Sequence, residues 1–186
     1  MKTIMDVKKY PSGKILATVS VVLMLAIVGI TTVFQLPTAF ATPMEEIKVS
    51  RDVSAPIEKV WNIVSDIDNE AKYWSIIKNI NKTDSVTERE VTVQAGPGGE
   101  AKTQQIVTVN QDQFAVNMNI TEGPVTGSRV LTLTPENNST TRVDAVWEID
   151  LSGIPSIGQG FAKGSFQKTT EDALGNIAVE AEVNNE

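Results

Sequence analysis

From Glu45 to Ser54 the chain alternates, with Ile47, Val49 and Arg51 on one side and Lys48, Ser50 and Asp52 on the other. A two-residue period of this kind predicts a half-buried strand. The period then lengthens. Ile57, Val60, Trp61 and Val64 recur at i, i+3, i+4 and i+7, which predicts an amphipathic helix with Pro56 in its first turn and Ser54 or Ala55 at its cap. A second short helix is expected from Asp66 or Asp68, whose carboxylates can accept free backbone N–H groups, to about Ile76.

Beyond Asn79 the period returns to two, in short runs rich in Val, Thr and Ile separated by Gly, Pro and Asn. These predict consecutive antiparallel strands over 79–87, 89–94, 101–110, 113–122, 127–135 and 140–151, joined by hairpin turns at Gly96 (GPGG), Asn110 (NQDQ) and Glu136 (ENNS). On the last strand Val143, Ala145, Trp147, Ile149 and Leu151 share one face, and Arg142, Asp144, Glu148 and Asp150 form most of the other. Phe114, Val116, Met118 and Ile120, and Leu131 with Leu133, are placed in the same way, so the inner face of the sheet is apolar. After Gly153-Ile154-Pro155 a long helix is predicted, with Phe166, Thr170, Ala173, Leu174, Ile177, Ala178 and Ala181 on one side. Its start contains Gly158, Gly160 and Gly164, each costing about 1 kcal/mol relative to Ala, and is expected to be loose.

The run Ile15 to Phe34 is uncharged and, as a helix, would extend about 30 Å, enough to cross a bilayer. Lys8, Lys9 and Lys14 before it would stay on the cytoplasmic side and direct the rest of the chain outward. Ala39-Phe40-Ala41 supplies small residues at the two positions a signal peptidase reads, so residues 1–41 are either a signal peptide cleaved after Ala41 or a retained transmembrane anchor. In either case residues 45–183 form a domain outside the cytoplasmic membrane. Asn81, Asn119, Asn137 and Asn138 each begin a glycosylation acceptor triplet, which matters only in an exported protein of a glycosylating organism.

Composition narrows the function. Four of the 16 basic side chains and one of the 23 acidic ones precede Thr42, leaving 12 against 22 and a net charge of −10 on the remainder. Such a surface repels phosphate backbones, so no nucleic-acid partner is expected. The absence of Cys and His removes disulfides, Cys-containing zinc sites and imidazole-based catalytic dyads and triads; no metal site and no cofactor are expected. The stretch AGPGGEAK from Ala95 lacks the Gly-Lys-Ser/Thr ending and following helix of a phosphate loop, and reads as a hairpin turn.

One strand, two short helices, a run of antiparallel strands and a final long helix is the element order of the helix-grip fold, an α+β class. The segment VSAPIEKVWNIVSDIDNEAKYW resembles the corresponding part of the START-like, or SRPBCC, superfamily, where a strand leads into Ala-Pro, a helix with a central Trp, and a second Trp after an Asp-rich turn. The ending GSFQKTTEDALGNIAVEAE is similar to the last helix of its polyketide cyclase/dehydrase and lipid-transport branch. The resemblance covers about Glu46 to Glu182 and implies a curved sheet gripping the final helix around an apolar cavity. The Gly-rich turn also resembles one that plant members carry between early strands.

The resemblance makes Trp74, Phe114, Val116, Met118, Ile120, Leu131, Leu133, Ala145, Trp147, Ile149, Phe161 and Phe166 candidates to line that cavity, with Trp61 in the core. Arg51 and Arg129 fall in register with apolar neighbours (Ile47 and Val49; Leu131 and Leu133), and with Tyr73 are candidates for a polar cavity mouth that holds an anionic headgroup or carboxylate. Ion pairs at strand ends are the alternative for both arginines. The expected function is extracytoplasmic binding or transport of a small hydrophobic or lipid-like ligand, without catalysis. The alternatives are a cyclase/dehydratase-like enzyme, for which no catalytic residues can be named, and an envelope protein-interaction domain with a filled core.

Overall fold

A computed structural model of the protein describes residues 44–183, Pro97 excepted. The expected leader, residues 1–41, lies outside the described residues. The elements run β1 (Glu45–Val53), α1 (Ile57–Val64), a 3-10 helix (Ile67–Lys72), β2 (Ile77–Lys82), β3 (Glu88–Gln94), β4 (Glu100–Asn110), β5 (Ala115–Glu122), β6 (Thr126–Asn137), β7 (Thr140–Asp150) and α2 (Ser156–Val183).

The seven strands form one antiparallel sheet in the order β1-β7-β6-β5-β4-β3-β2. Successive hairpins from β2 to β7 build the sheet, and β1 then pairs with β7, Ile47 opposite Trp147 and Val49 opposite Ala145. The curved sheet followed by a long C-terminal helix is the helix-grip α+β fold. Its core lies between the inward residues of the strands and α2, which buries Thr170, Ala173, Leu174, Ile177, Ala178 and Ala181. Three of those six are alanines, and with no bulk beyond Cβ they let α2 lie close to the elements it meets, β1 and α1.

Several boundaries depart from the sequence expectation for local reasons. The second short helix is a single 3-10 segment whose Asp66 makes no capping bond, because its carboxylate accepts the Asn69 side-chain amide at 2.7 Å instead. Pro56, rather than Ser54 or Ala55, precedes α1, and it too caps without a side-chain bond. β2 ends at Lys82 because Thr83 and Ser85 engage nearby backbone, with Thr83 Oγ1 donating to the Glu88 carbonyl at 2.9 Å, and so compete with the ladder. β5 starts at Ala115, since Phe114 sits in the preceding turn with φ of 46°. The Gly-rich turn does close a β3–β4 hairpin, with Ala95 N–H donating to the Gly99 carbonyl at 2.8 Å.

The start of α2 is helical although it is barely packed. Ile157 is 96% exposed and Phe161 73% exposed. Among the described residues no helix is long and apolar enough to cross a membrane. Asn81, Asn119, Asn137 and Asn138 are all exposed.

Candidate functional site

Three ionisable side chains meet inside the fold. Glu70 turns inward from the 3-10 helix and is 7% exposed; Arg89 of β3 and Arg129 of β6 reach it from the sheet and are 5% and 2% exposed. Arg129 Nη2 donates to Glu70 Oε1 at 2.5 Å, and Arg89 Nη2 donates to Oε2. Arg89 is held from its other sides as well, by Gln105 Oε1 at 3.1 Å from Nε and by the Ile67 carbonyl at 3.0 Å from Nη1. Gln105 follows an irregularity in the β4–β5 pairing, a place where a bulge re-aims a side chain, and its amide donates on to Thr103 Oγ1 at 3.2 Å.

Burial pushes the Glu70 carboxyl towards its neutral form, but the charges of Arg129 and Arg89 and their hydrogen bonds outweigh burial and hold its pKa below the usual glutamate value. Glu70 is therefore ionised, and both of its oxygens are occupied.

Aromatic rings surround the Arg129 end of the cluster. Its guanidinium lies 4.2 Å from the Trp74 ring centroid and 5.4 Å from that of Trp147, within the range of cation–π attraction. Trp147 meets Trp74 and Phe166 edge to face, with centroids 5.9 and 5.1 Å apart, and its indole N–H donates to Thr170 Oγ1 at 2.9 Å. Two cavities adjoin this group. The larger, about 70 Å³, is walled by Trp74, Trp147, Phe166 and Met118, by Ile76, Ile77 and Val93, and by Glu70, Gln105 and Arg129. The smaller, about 10 Å³, lies on the α1 side and shares Glu70, Trp74 and Arg129 with the first. At roughly 10–15 Å³ per water, the first holds several waters or one small group and the second about one water.

The structure divides the sequence candidates. Trp74, Met118, Trp147, Phe166 and Arg129 line the larger cavity, and Tyr73, Val116 and Leu131 line the smaller. Ile120, Leu133, Ala145 and Ile149 are packed into solid core and reach neither. Phe114 packs edge to face on Trp61 at 5.5 Å and stands apart from both cavities, because its left-handed backbone turns it out of the β5 register. Phe161 lies on the exposed side of α2, where it lines an open groove of about 520 Å³ with Gln94 and Gly96 of the β3–β4 turn. Arg51 keeps its alternation but is exposed, its guanidinium running beside Gly175 of α2. Arg129 is deeply buried rather than at a mouth, and so is Tyr73, whose carbonyl accepts the Asn176 amide at 2.9 Å.

Glu70, Arg89 and Gln105 were missed by sequence reasoning. A signal existed for two of them: Arg89 alternates with Val91 and Val93, and Gln105 with Val107, all on inward positions. Among the described residues no group of three or more His, Cys, Asp or Glu side chains could hold a metal ion.

A sheet that grips one long helix, with a partly apolar cavity between them, defines the class of helix-grip domains. Residues 44–182 match the family described as polyketide cyclase / dehydrase and lipid transport, and the chain belongs to that family. Solved structures share the fold at low identity. A Thermus thermophilus protein is 17% identical with a TM-score of 0.65, covering 76% of this chain and 100% of its own. The Zhui aromatase/cyclase from Streptomyces sp. R1128 is 12% identical with a TM-score of 0.67, covering 77% of this chain and 96% of its own. A START superfamily protein from Mycobacterium smegmatis is 14% identical with a TM-score of 0.54, covering 74% of this chain and 94% of its own. No match is found among curated proteins.

Proposed function

We propose that the domain binds a small, largely apolar molecule between the sheet and α2, on the outer side of the cytoplasmic membrane. The observation that carries this reading is the larger cavity, where seven apolar side chains face three polar ones: Glu70, which accepts from Arg129, and Gln105, which is tied to Glu70 only through Arg89. Few polar groups placed in an apolar enclosure is the usual composition of a ligand site. Burying about 150 Å² of ligand apolar surface would gain roughly 4 kcal/mol before association costs. The volume suits a compact ligand; a long acyl chain requires the Trp74–Phe166 wall to part. The outward placement rests on the uncharged run Ile15 to Phe34 and the lysines before it.

A cyclase- or dehydratase-like enzyme is the second reading, favoured by the convergence of Glu70, Arg89 and Arg129 on a cavity. Against it, a glutamate whose pKa is lowered and whose oxygens both accept from arginines is a poor general base.

The test is native mass spectrometry with solvent extraction on residues 42–186, exported by the protein's own host. A co-purifying small organic molecule is expected. An empty protein that also fails to bind a hydrophobic fluorescent probe would overturn the binding role and move attention to surface partners.

A further inference from the structure

Resting on that binding role, we propose that the ligand is a monoanion, a carboxylate on a compact apolar body, and that Nε of Arg129 is the donor that receives it. Two arginines and one glutamate give the buried cluster a net charge of +1, since Glu70 neutralises only one of its partners. An uncompensated charge away from water is costly, and a single negative charge brought by a ligand removes that cost.

The donor inventory shows where the anion goes. Every nitrogen of Arg89 already donates, Nε and Nη2 to Gln105, Nη1 to Ile67 and Nη2 also to Glu70. Arg129 differs: Nη2 holds Glu70, whereas Nε is buried and has no acceptor, the one such side-chain atom among the described residues. Buried polar groups are nearly always paired, and an orphaned charged donor beside a cavity is a vacant half of a hydrogen bond. Arg129 forms part of the wall of both cavities. Asp66, a further carboxylate at the smaller cavity, is exposed and already accepts from Asn69.

The same geometry sets the ligand's shape. Trp74 holds the guanidinium from one side, and the edge-to-face rings of Trp147 and Phe166 leave an apolar wall with Met118 beside it. A compact aromatic or short aliphatic acid fits that wall. A phosphate monoester fits poorly, because its second charge exceeds what the cluster can neutralise and its oxygens outnumber the free donor.

The experiment uses residues 42–186, a unit that folds without the leader: the matching structures are made almost wholly of this domain, which fills 94–100% of their chains. Isothermal titration compares benzoate with benzamide and hexanoate with hexanamide, pairs of near-equal shape that differ in charge. Each acid should bind at least about tenfold more tightly than its amide, the margin of one charge-assisted hydrogen bond. Arg129→Gln should bring acid and amide to near-equal affinity. Amides binding as well as acids to the wild-type domain would overturn this inference and leave the binding role standing. No binding of any of the four compounds would overturn both. The wild-type comparison decides the matter even if Arg129→Gln fails to fold.

Discussion

Glu70 is the residue on which the interior depends, because it is the only counter-charge the described residues offer Arg89 and Arg129 in the cluster. Glu70→Gln leaves two buried guanidinium groups uncompensated and should cost about 3–5 kcal/mol of stability, measured by urea unfolding at pH 7. The pH dependence has a definite sign. The folded pKa lies below the unfolded one, so the ion pairs stabilise fully above the ordinary glutamate pKa of about 4.3 and their contribution is lost as pH falls through the folded value. Wild-type stability should therefore decline below about pH 5 more steeply than that of Glu70→Gln. Equal slopes would mean that folding leaves the Glu70 pKa unlowered. Arg129 was within reach of sequence reasoning because it alternates with Leu131 and Leu133 on β6. Glu70 was not, since IDNEAK is a mostly polar 3-10 turn without an apolar period to reveal which side chain turns inward.

At the scale of elements, two glycines show which parts of the fold tolerate a side chain. Gly127 on β6 has φ of 135°, and a Cβ there would lie 2.1 Å from the Glu148 carbonyl oxygen of β7. Gly127→Ala should destabilise the protein by about 2 kcal/mol or more, since neither the backbone angle nor the paired strand can yield cheaply. Gly164, in the exposed part of α2, meets nothing within 4 Å of a built Cβ. Gly164→Ala should stabilise by about 1 kcal/mol through helix propensity alone. Thermal unfolding of both variants checks the contrast. The strands themselves and the buried stripe of α2 were readable from periods of two and about 3.6, because each element has one face in the core. Element ends were less so. They are set by side-chain bonds such as Asp66 to Asn69 and Thr83 to Glu88, and by the backbone of Phe114, none of which leaves a periodic trace.

For the whole molecule, the fold and family describe a ligand-binding or polyketide cyclase-like domain, and the cavity at its centre is small because aromatic side chains occupy the middle of the grip. Aromatics make up only 5% of the chain. Four of the aromatics, Trp74, Trp147, Phe166 and Tyr73, gather beside the arginine cluster, so a low total still fills the space locally. Two-dimensional nitrogen–proton NMR of residues 42–186 titrated with benzoate is the sharpest test of carboxylate binding at Arg129. The Arg129 Nε–H signal and the indole N–H signals of Trp74 and Trp147 should shift together and saturate at one affinity. Shifts confined to the groove beside Phe161, with those three signals unmoved, would contradict it.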